Sequence, residues 1–121
     1  MHRSLLRNLW LLTIAAVIVL SLLPRATSTV RFLDSLPLGD KFQHLAAYLP
    51  LALFPSLYQP RNQALISILA MAALGVGLEF FQLLSPGRSF DTHDMLADFA
   101  GLALGALLAA LLKTLPLRQR L

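Results

Sequence analysis

GLEFFQLLSPGRSFDTHDMLADFAGLALG, residues Gly77 to Gly105, is the stretch whose reading decides the fold. Two apolar runs meet at a short polar turn, and each run carries acids just inside its hydrophobic part: Glu79 before the turn, Asp94 and Asp98 after it. A bare carboxylate within a membrane helix costs about 2.5–3.5 kcal/mol on insertion scales, so acids in such places have a partner or a task. The pattern predicts two membrane helices joined by a hairpin, with a polar cluster gathered near one face of the bilayer.

Composition agrees with a lipid environment. Of the 121 residues, 57% are hydrophobic and 13% charged, and the mean hydropathy is +0.70. A soluble domain carries about 25% charged residues to cover its surface. The apolar residues come in blocks that approach or reach the roughly 20 residues needed to cross a bilayer core. The chain has no Cys, which excludes disulfides, thiolate metal sites and Cys nucleophiles. The net charge of +4 is no sign of nucleic-acid binding, because the basic residues flank apolar blocks and membrane topology explains them better.

Working outward, the expected fold is all-α, a single domain over residues 1–121 forming an integral membrane bundle of four transmembrane helices. The first apolar block, Leu9 to Leu23, follows the basic leader of Arg3 and Arg7. Such a segment could equally be a secretory signal peptide; three further apolar segments follow, and it is read as an uncleaved span. Pro24 to Gly39 is rich in residues that interrupt regular structure and is expected to be the longest connection. The second span is expected over about Lys41 to Tyr58, capped by Asp40 and kinked by Pro50 and Pro55. After a turn at Gln59 to Gln63, the third span covers about Ala64 to Leu84, with Gly75 and Gly77 open to close backbone approach. The fourth starts with Asp91 or Thr92 as cap and ends near Leu112, before a basic tail.

Four spans put both termini and Arg61 on one side. That side holds six basic residues, Arg3, Arg7, Arg61, Lys113, Arg118 and Arg120, against Arg25, Arg31, Lys41 and Arg88 on the other. The positive-inside rule makes the termini cytoplasmic. Asp34, Asp40, Asp91 and Asp94 then fall at the outer connections or helix ends. Glu79 lies about 8 Å below its helix end at 1.5 Å per residue, at a depth similar to His44, Gln82 and Asp98.

Helical spacing stacks Lys41, His44 and Tyr48 on one face, and Glu79 with Gln82 on another. Asp91, Asp94, Asp98, Gly101 and Gly105 form one stripe, so a carboxylate face runs into a small-residue seam suited to helix packing. Each residue also has a plainer reading: Asp40 and Asp91 as caps, Lys41 as a snorkelling interfacial residue, Arg88 as a headgroup contact, Tyr48 as a packed aromatic. Glu79 and Asp98 could serve only to fix helix register. His44 is harder to set aside, because a titratable ring faces the acids. His2, His93 and Trp10 have no evident companions. Nitrogen and oxygen donors could in principle hold a metal, but the spacing requires none, and neither a metal nor another cofactor is expected.

At these residues the chain resembles the VanZ-like family of small bacterial membrane proteins. The likeness rests on D-K-x-x-H-x-x-x-Y (Asp40, Lys41, His44, Tyr48), E-x-x-Q (Glu79, Gln82), P-G-R-S-F-D-x-x-D (Pro86 to Asp94, including Arg88) and D-x-x-G-x-x-x-G (Asp98, Gly101, Gly105), and covers about residues 38–110. Asp98 departs from the Asn more usual there in the family. The family name comes from a protein associated with low-level resistance to teicoplanin, and the resemblance implies a bacterial cell-envelope protein of the cytoplasmic membrane without transferring resistance to this chain.

The expected function is an outward-facing polar pocket that binds or shields an envelope lipid, a cell-wall precursor or a lipid-tailed glycopeptide antibiotic, built from Asp40, Lys41, His44, Tyr48, Glu79, Gln82, Arg88, Asp91, Asp94 and Asp98 and supported by packing at Gly101 and Gly105. One alternative is a membrane-embedded hydrolase or transferase in which His44 or Glu79 is the general base and Lys41 and Arg88 hold an anionic group. Another is a structural helical subunit. The bilayer is the expected partner, with an envelope lipid or cell-wall precursor as candidate ligand; no particular oligomeric state is indicated.

Overall fold

The computed structural model describes residues 2–23, 27–35, 39–84 and 91–115. All regular structure among them is helical: α1 (His2–Leu22), α2 (Ser28–Asp34), α3 (Gly39–Tyr58), α4 (Arg61–Phe81), a 3-10 turn (Gln82–Leu84) and α5 (Thr92–Thr114). Three segments, His2–Leu22, Arg61–Leu84 and Thr92–Thr114, are long and apolar enough to cross a membrane. At 1.5 Å per residue, 20 residues reach the roughly 30 Å of a hydrocarbon core. The 20 residues of α3 are also long enough, but its polar residues keep it out of that group.

Contacts define how the helices run. Trp10 of α1 bonds Leu51 of α3, while Leu20 and Ser21, further along α1, share a cavity wall with Gln43 and His44 near the start of α3, so these two are antiparallel. Lys41, Leu45 and Leu49 of α3 face Asp94, Gly101 and Gly105 of α5 in rising order, so those two are parallel. Ser67 of α4 bonds Gln59 just beyond α3, and Gly75 lies against Tyr48, making α4 antiparallel to α3. One end of the bundle therefore collects the end of α1, the start of α3, the end of α4 and the start of α5. All six acids of the chain belong to that end, whereas Arg3, Arg7, Arg61 and Lys113 lie toward the other.

α3 is the centre. It packs most extensively on α5 and also touches α1, α2 and α4, and Leu51 and Ala52 are wholly buried. The closest approach is at the glycine seam of α5. A Cβ on Gly101 would collide with the carbonyl oxygen of Leu45, and one on Gly105 with the carbonyl oxygen of Leu49. Gly75 is also tight, a Cβ there standing 3.1 Å from Asp98 Oδ2 and 3.2 Å from Tyr48 Cε2. At Gly77, by contrast, nothing lies within 4 Å, so the expected close approach belongs to Gly75 alone.

Pro50 and Pro55 sit inside one continuous helix. Proline at position 55 has no N–H for the carbonyl four residues earlier, and that carbonyl, of Leu51, instead accepts the indole Nε1–H of Trp10 at 2.9 Å. Trp10, which has no evident companion in the sequence, also meets Tyr58 edge-on, with ring centroids 6.4 Å apart.

Three local expectations are revised. The connection between Pro24 and Gly39 contains α2, whose Val30 is buried while Phe32 is exposed; Val30 and Leu33, three apart, give it one inward face. The α3–α4 turn is shorter than Gln59 to Gln63, because α4 begins at Arg61 after Pro60. Asp40 lies within the first turn of α3, which starts at Gly39 with a φ of 77°, a left-handed backbone that glycine adopts without Cβ strain.

Two pairs of substitutions test this packing by thermal unfolding in detergent. Gly105→Val should lower stability by at least the 1–3 kcal/mol typical of overpacking, roughly, because backbone atoms cannot yield, whereas Gly77→Ala should be neutral or gain up to about 1 kcal/mol from helix propensity. Trp10→Phe should cost about 1 kcal/mol in the native background, and less beside Pro55→Ala, where the restored N–H can serve Leu51. Equal cost in both backgrounds would show that the indole bond does not replace the missing one.

Candidate functional site

The parallel register of α3 and α5 brings their two polar stripes face to face. Lys41 Nζ donates to Asp94 Oδ1 at 2.5 Å, to Asp91 Oδ2 at 2.8 Å and to Asp40 Oδ2 at 3.2 Å. One turn deeper, His44 Nδ1–H donates to Asp98 Oδ1 at 2.7 Å, and Nε2 stands 3.6 Å from Asp94 Oδ2. Asp94 thus links the lysine layer to the histidine layer.

Glu79 joins from α4. Its Oε1 accepts the backbone N–H of Asp91 at 2.8 Å, tying the end of α4 to the start of α5. Glu79 and Asp98 are each only 1% exposed. A buried ion that loses its partner is strongly destabilising, so the donors around these two acids are integral to the fold. Tyr48 is buried, and its ring and hydroxyl pack with Asp98 Oδ2 around Gly75.

At the outer margin Asp91 caps α5 by accepting the N–H of His93 at 2.8 Å, as its position ahead of the helix predicts. The hydrogen bond from the Lys41 ammonium, and then that from the His93 amide, hold its carboxyl down to about 2. His93, which has no evident companion in the sequence, adds an Nδ1 that lies 3.4 Å from Asp91 while its side chain stays exposed.

Of the residues expected at the site, Asp40, Lys41, His44, Tyr48, Glu79, Asp91, Asp94 and Asp98 come together, with Gly101 and Gly105 directly beneath. Gln82 does not enter the ion-pair network: its Nε2–H donates to the carbonyl of Ser21 at 3.0 Å, fastening α1. Arg88 lies outside the described residues. Lys41, assigned to an anionic group in the enzyme alternative, has three carboxylates on its ammonium. Among the described residues no three His, Cys, Asp or Glu side chains form a metal-holding group.

Beside the cluster lies a cavity of about 450 Å³ between α1, α2, α3 and the 3-10 turn. Its wall is mainly apolar, from Val17, Leu20, Val30, Leu33, Phe42, Ala46 and Ala47, and its polar members include Gln43, His44, Tyr48 and Gln82. The volume falls within the range of about 300–1,000 Å³ usual for small-molecule sites. The sequence reading does not anticipate this cavity, because it depends on α2 and on Gln43, whose side-chain amide donates to the carbonyl of Leu33 and latches α2 over α3.

A family model described as VanZ/LLP1 matches residues 4–113. The match extends beyond the motifs of residues 38–110 to include α1. Neither the curated proteins nor the solved structures compared with the chain include a significant match.

The ion pairs set a dependence on pH. A carboxyl with a lowered folded-state value adds stability that is complete above its unfolded value, near 4, and is lost as pH falls through the folded value, here about 2 for Asp91. Lys41→Met removes the cause. Unfolding temperatures measured from pH 6 to pH 2 should show the gap between wild type and variant narrowing as pH falls from about 4 toward 2; a constant gap would mean that Asp91 is not held by Lys41.

Proposed function

We propose the following for this chain, which belongs to the VanZ/LLP1 family: it is a four-span protein of the bacterial cytoplasmic membrane, with both termini cytoplasmic, and it binds or shields a lipid-tailed ligand of the envelope at its outer face. The fourth span in this reading is α3. Its alternation of direction with α1 and α4, and its parallel run with α5, support that count. The placement of Arg3, Arg7, Arg61 and Lys113 at the end opposite the acids supports the orientation.

One observation carries the binding reading. His44 lies on the wall of the apolar cavity and is at the same time bonded to Asp98 in the polar cluster. A ligand with its hydrocarbon part in the cavity would therefore bring its polar head to His44 and the acids behind it. An envelope lipid, a cell-wall precursor and a lipid-tailed glycopeptide antibiotic share this plan of a polar head on an apolar tail. The fixed donors and acceptors provide orientation, and the apolar wall provides burial at roughly 25 cal/mol per Å².

The test uses near-isosteric changes. In Glu79→Gln the amide oxygen can still accept the Asp91 N–H, and removing a buried charge relieves a desolvation cost; in His44→Gln the amide can still donate to Asp98. Both variants should keep folded yield and unfolding temperature close to wild type while losing binding of phospholipid or of a lipid-tailed glycopeptide, read by native mass spectrometry against a tail-less glycopeptide as control. Parallel loss of stability and binding in both would make the cluster a purely structural one.

A further inference from the structure

The mouth of the cavity tells how it is filled. Ala16 of α1 and Phe42 and Ala46 of α3 line the cavity and are exposed at the surface of the bundle. They form the flank between two helices, and no charged side chain is among them. Among the described lining residues the carboxylate, Asp34, is exposed at the other margin of the mouth, where α2 ends. On α1 the lining residues Thr13, Val17 and Leu20 follow one helix stripe and, with Ser21, extend about 12 Å along the axis at 1.5 Å per residue. The cavity is therefore a slot along the bundle side, polar at one end and apolar along its length. Small side chains at Ala16 and Ala46 leave its flank open.

Resting on the binding reading above, we propose that this slot is loaded sideways from the surrounding bilayer leaflet, through the Ala16–Phe42–Ala46 flank, and that its occupant is one hydrocarbon chain of a leaflet lipid. The surface around the flank is apolar, with Leu12 and Val19 exposed on α1, so the mouth is continuous with the lipid-facing side of the helices. A chain crossing that boundary leaves one apolar surrounding for another and exposes no charge. Entry from water would instead lead a tail past Asp34 and beneath α2, which Gln43 latches in place and whose Val30 is buried. The head stays at the wet margin, within reach of Gln43 and His44.

The absence of native Cys makes the route measurable with single substitutions in proteoliposomes of phosphatidylethanolamine and phosphatidylglycerol. Ala16→Cys and Ala46→Cys should react with a charged, membrane-impermeant maleimide an order of magnitude more slowly than Asp34→Cys. A phospholipid bearing a diazirine in the head-proximal part of one chain should crosslink to the Ala16 and Ala46 flank more heavily than to the exposed Leu69 on α4, and Ala46→Phe should remove that excess while labelling at Leu69 is unchanged. Rapid maleimide reaction at Ala46→Cys would show an aqueous mouth and overturn lateral entry. Equal crosslinking at the two sites, or an excess unaffected by Ala46→Phe, would reduce the lipid to an ordinary annular contact. Retained ligand binding by native mass spectrometry in either case would leave the binding site standing and the route alone refuted.

Discussion

The closeness of α3 to α5 at Gly101 and Gly105 is the constraint on which the polar end depends. Helices that meet through ordinary side chains keep their axes about 8–10 Å apart. Here the glycines lie against the carbonyl oxygens of Leu45 and Leu49, so a four-residue step on one helix is matched by a four-residue step on the other. Extended toward the helix starts, the same parallel register sets His44 against Asp98 and Lys41 against Asp94. Short ion pairs could not form across a wider gap without rotating one stripe away from the other. A membrane helix pair also gains little from the hydrophobic effect, since lipid tails are as apolar as leucine, and small residues make close packing available instead.

The ion pairs in turn explain how carboxylates persist inside an apolar bundle. The side chains grade from wet to dry, with Lys41 44% exposed, His44 20% and Asp98 2%. Each layer supplies donors to the next: Lys41 serves three acids, His44 faces two, and Glu79 takes a backbone N–H from the start of α5. The network neutralises its own lysine and leaves the histidine at the boundary between the charges and the cavity. That position lets one side chain respond both to what enters an apolar slot and to the acids behind it.

The least apolar of the long helices is also the one that all the others cover. α3 carries Lys41, Gln43, His44 and two prolines, and on its own it would be a poor membrane segment. Surrounded by α1, α2, α4 and α5, it finds partners for its polar groups and for one of its prolines: carboxylates for its cations, the Leu33 carbonyl for Gln43, and the Trp10 indole for the carbonyl that Pro55 leaves without a donor. The apolar helices face outward and α3 inward, the arrangement in which polar groups are buried in protein and not in lipid.

Much of this was legible from residue spacing. Helical periodicity placed Lys41, His44 and Tyr48 on one face and Asp91, Asp94, Asp98, Gly101 and Gly105 on another, because a helix repeats every 3.6 residues whatever surrounds it. Apolar length predicted four spans, and three of those helices are long and apolar enough to cross. Gln82 shows where such reasoning stops: its spacing from Glu79 suggested a place in the polar cluster, but its amide goes to Ser21, 61 residues away on a helix whose approach no local pattern encodes. The same holds for Trp10 with Leu51, for Gln43 with Leu33 and for the slot beneath α2. Sequence by itself determined which side chains recur along one face of a helix; only the tertiary structure decided which faces meet, because that depends on backbone approach at a few small residues and on groups distant in the chain satisfying one another.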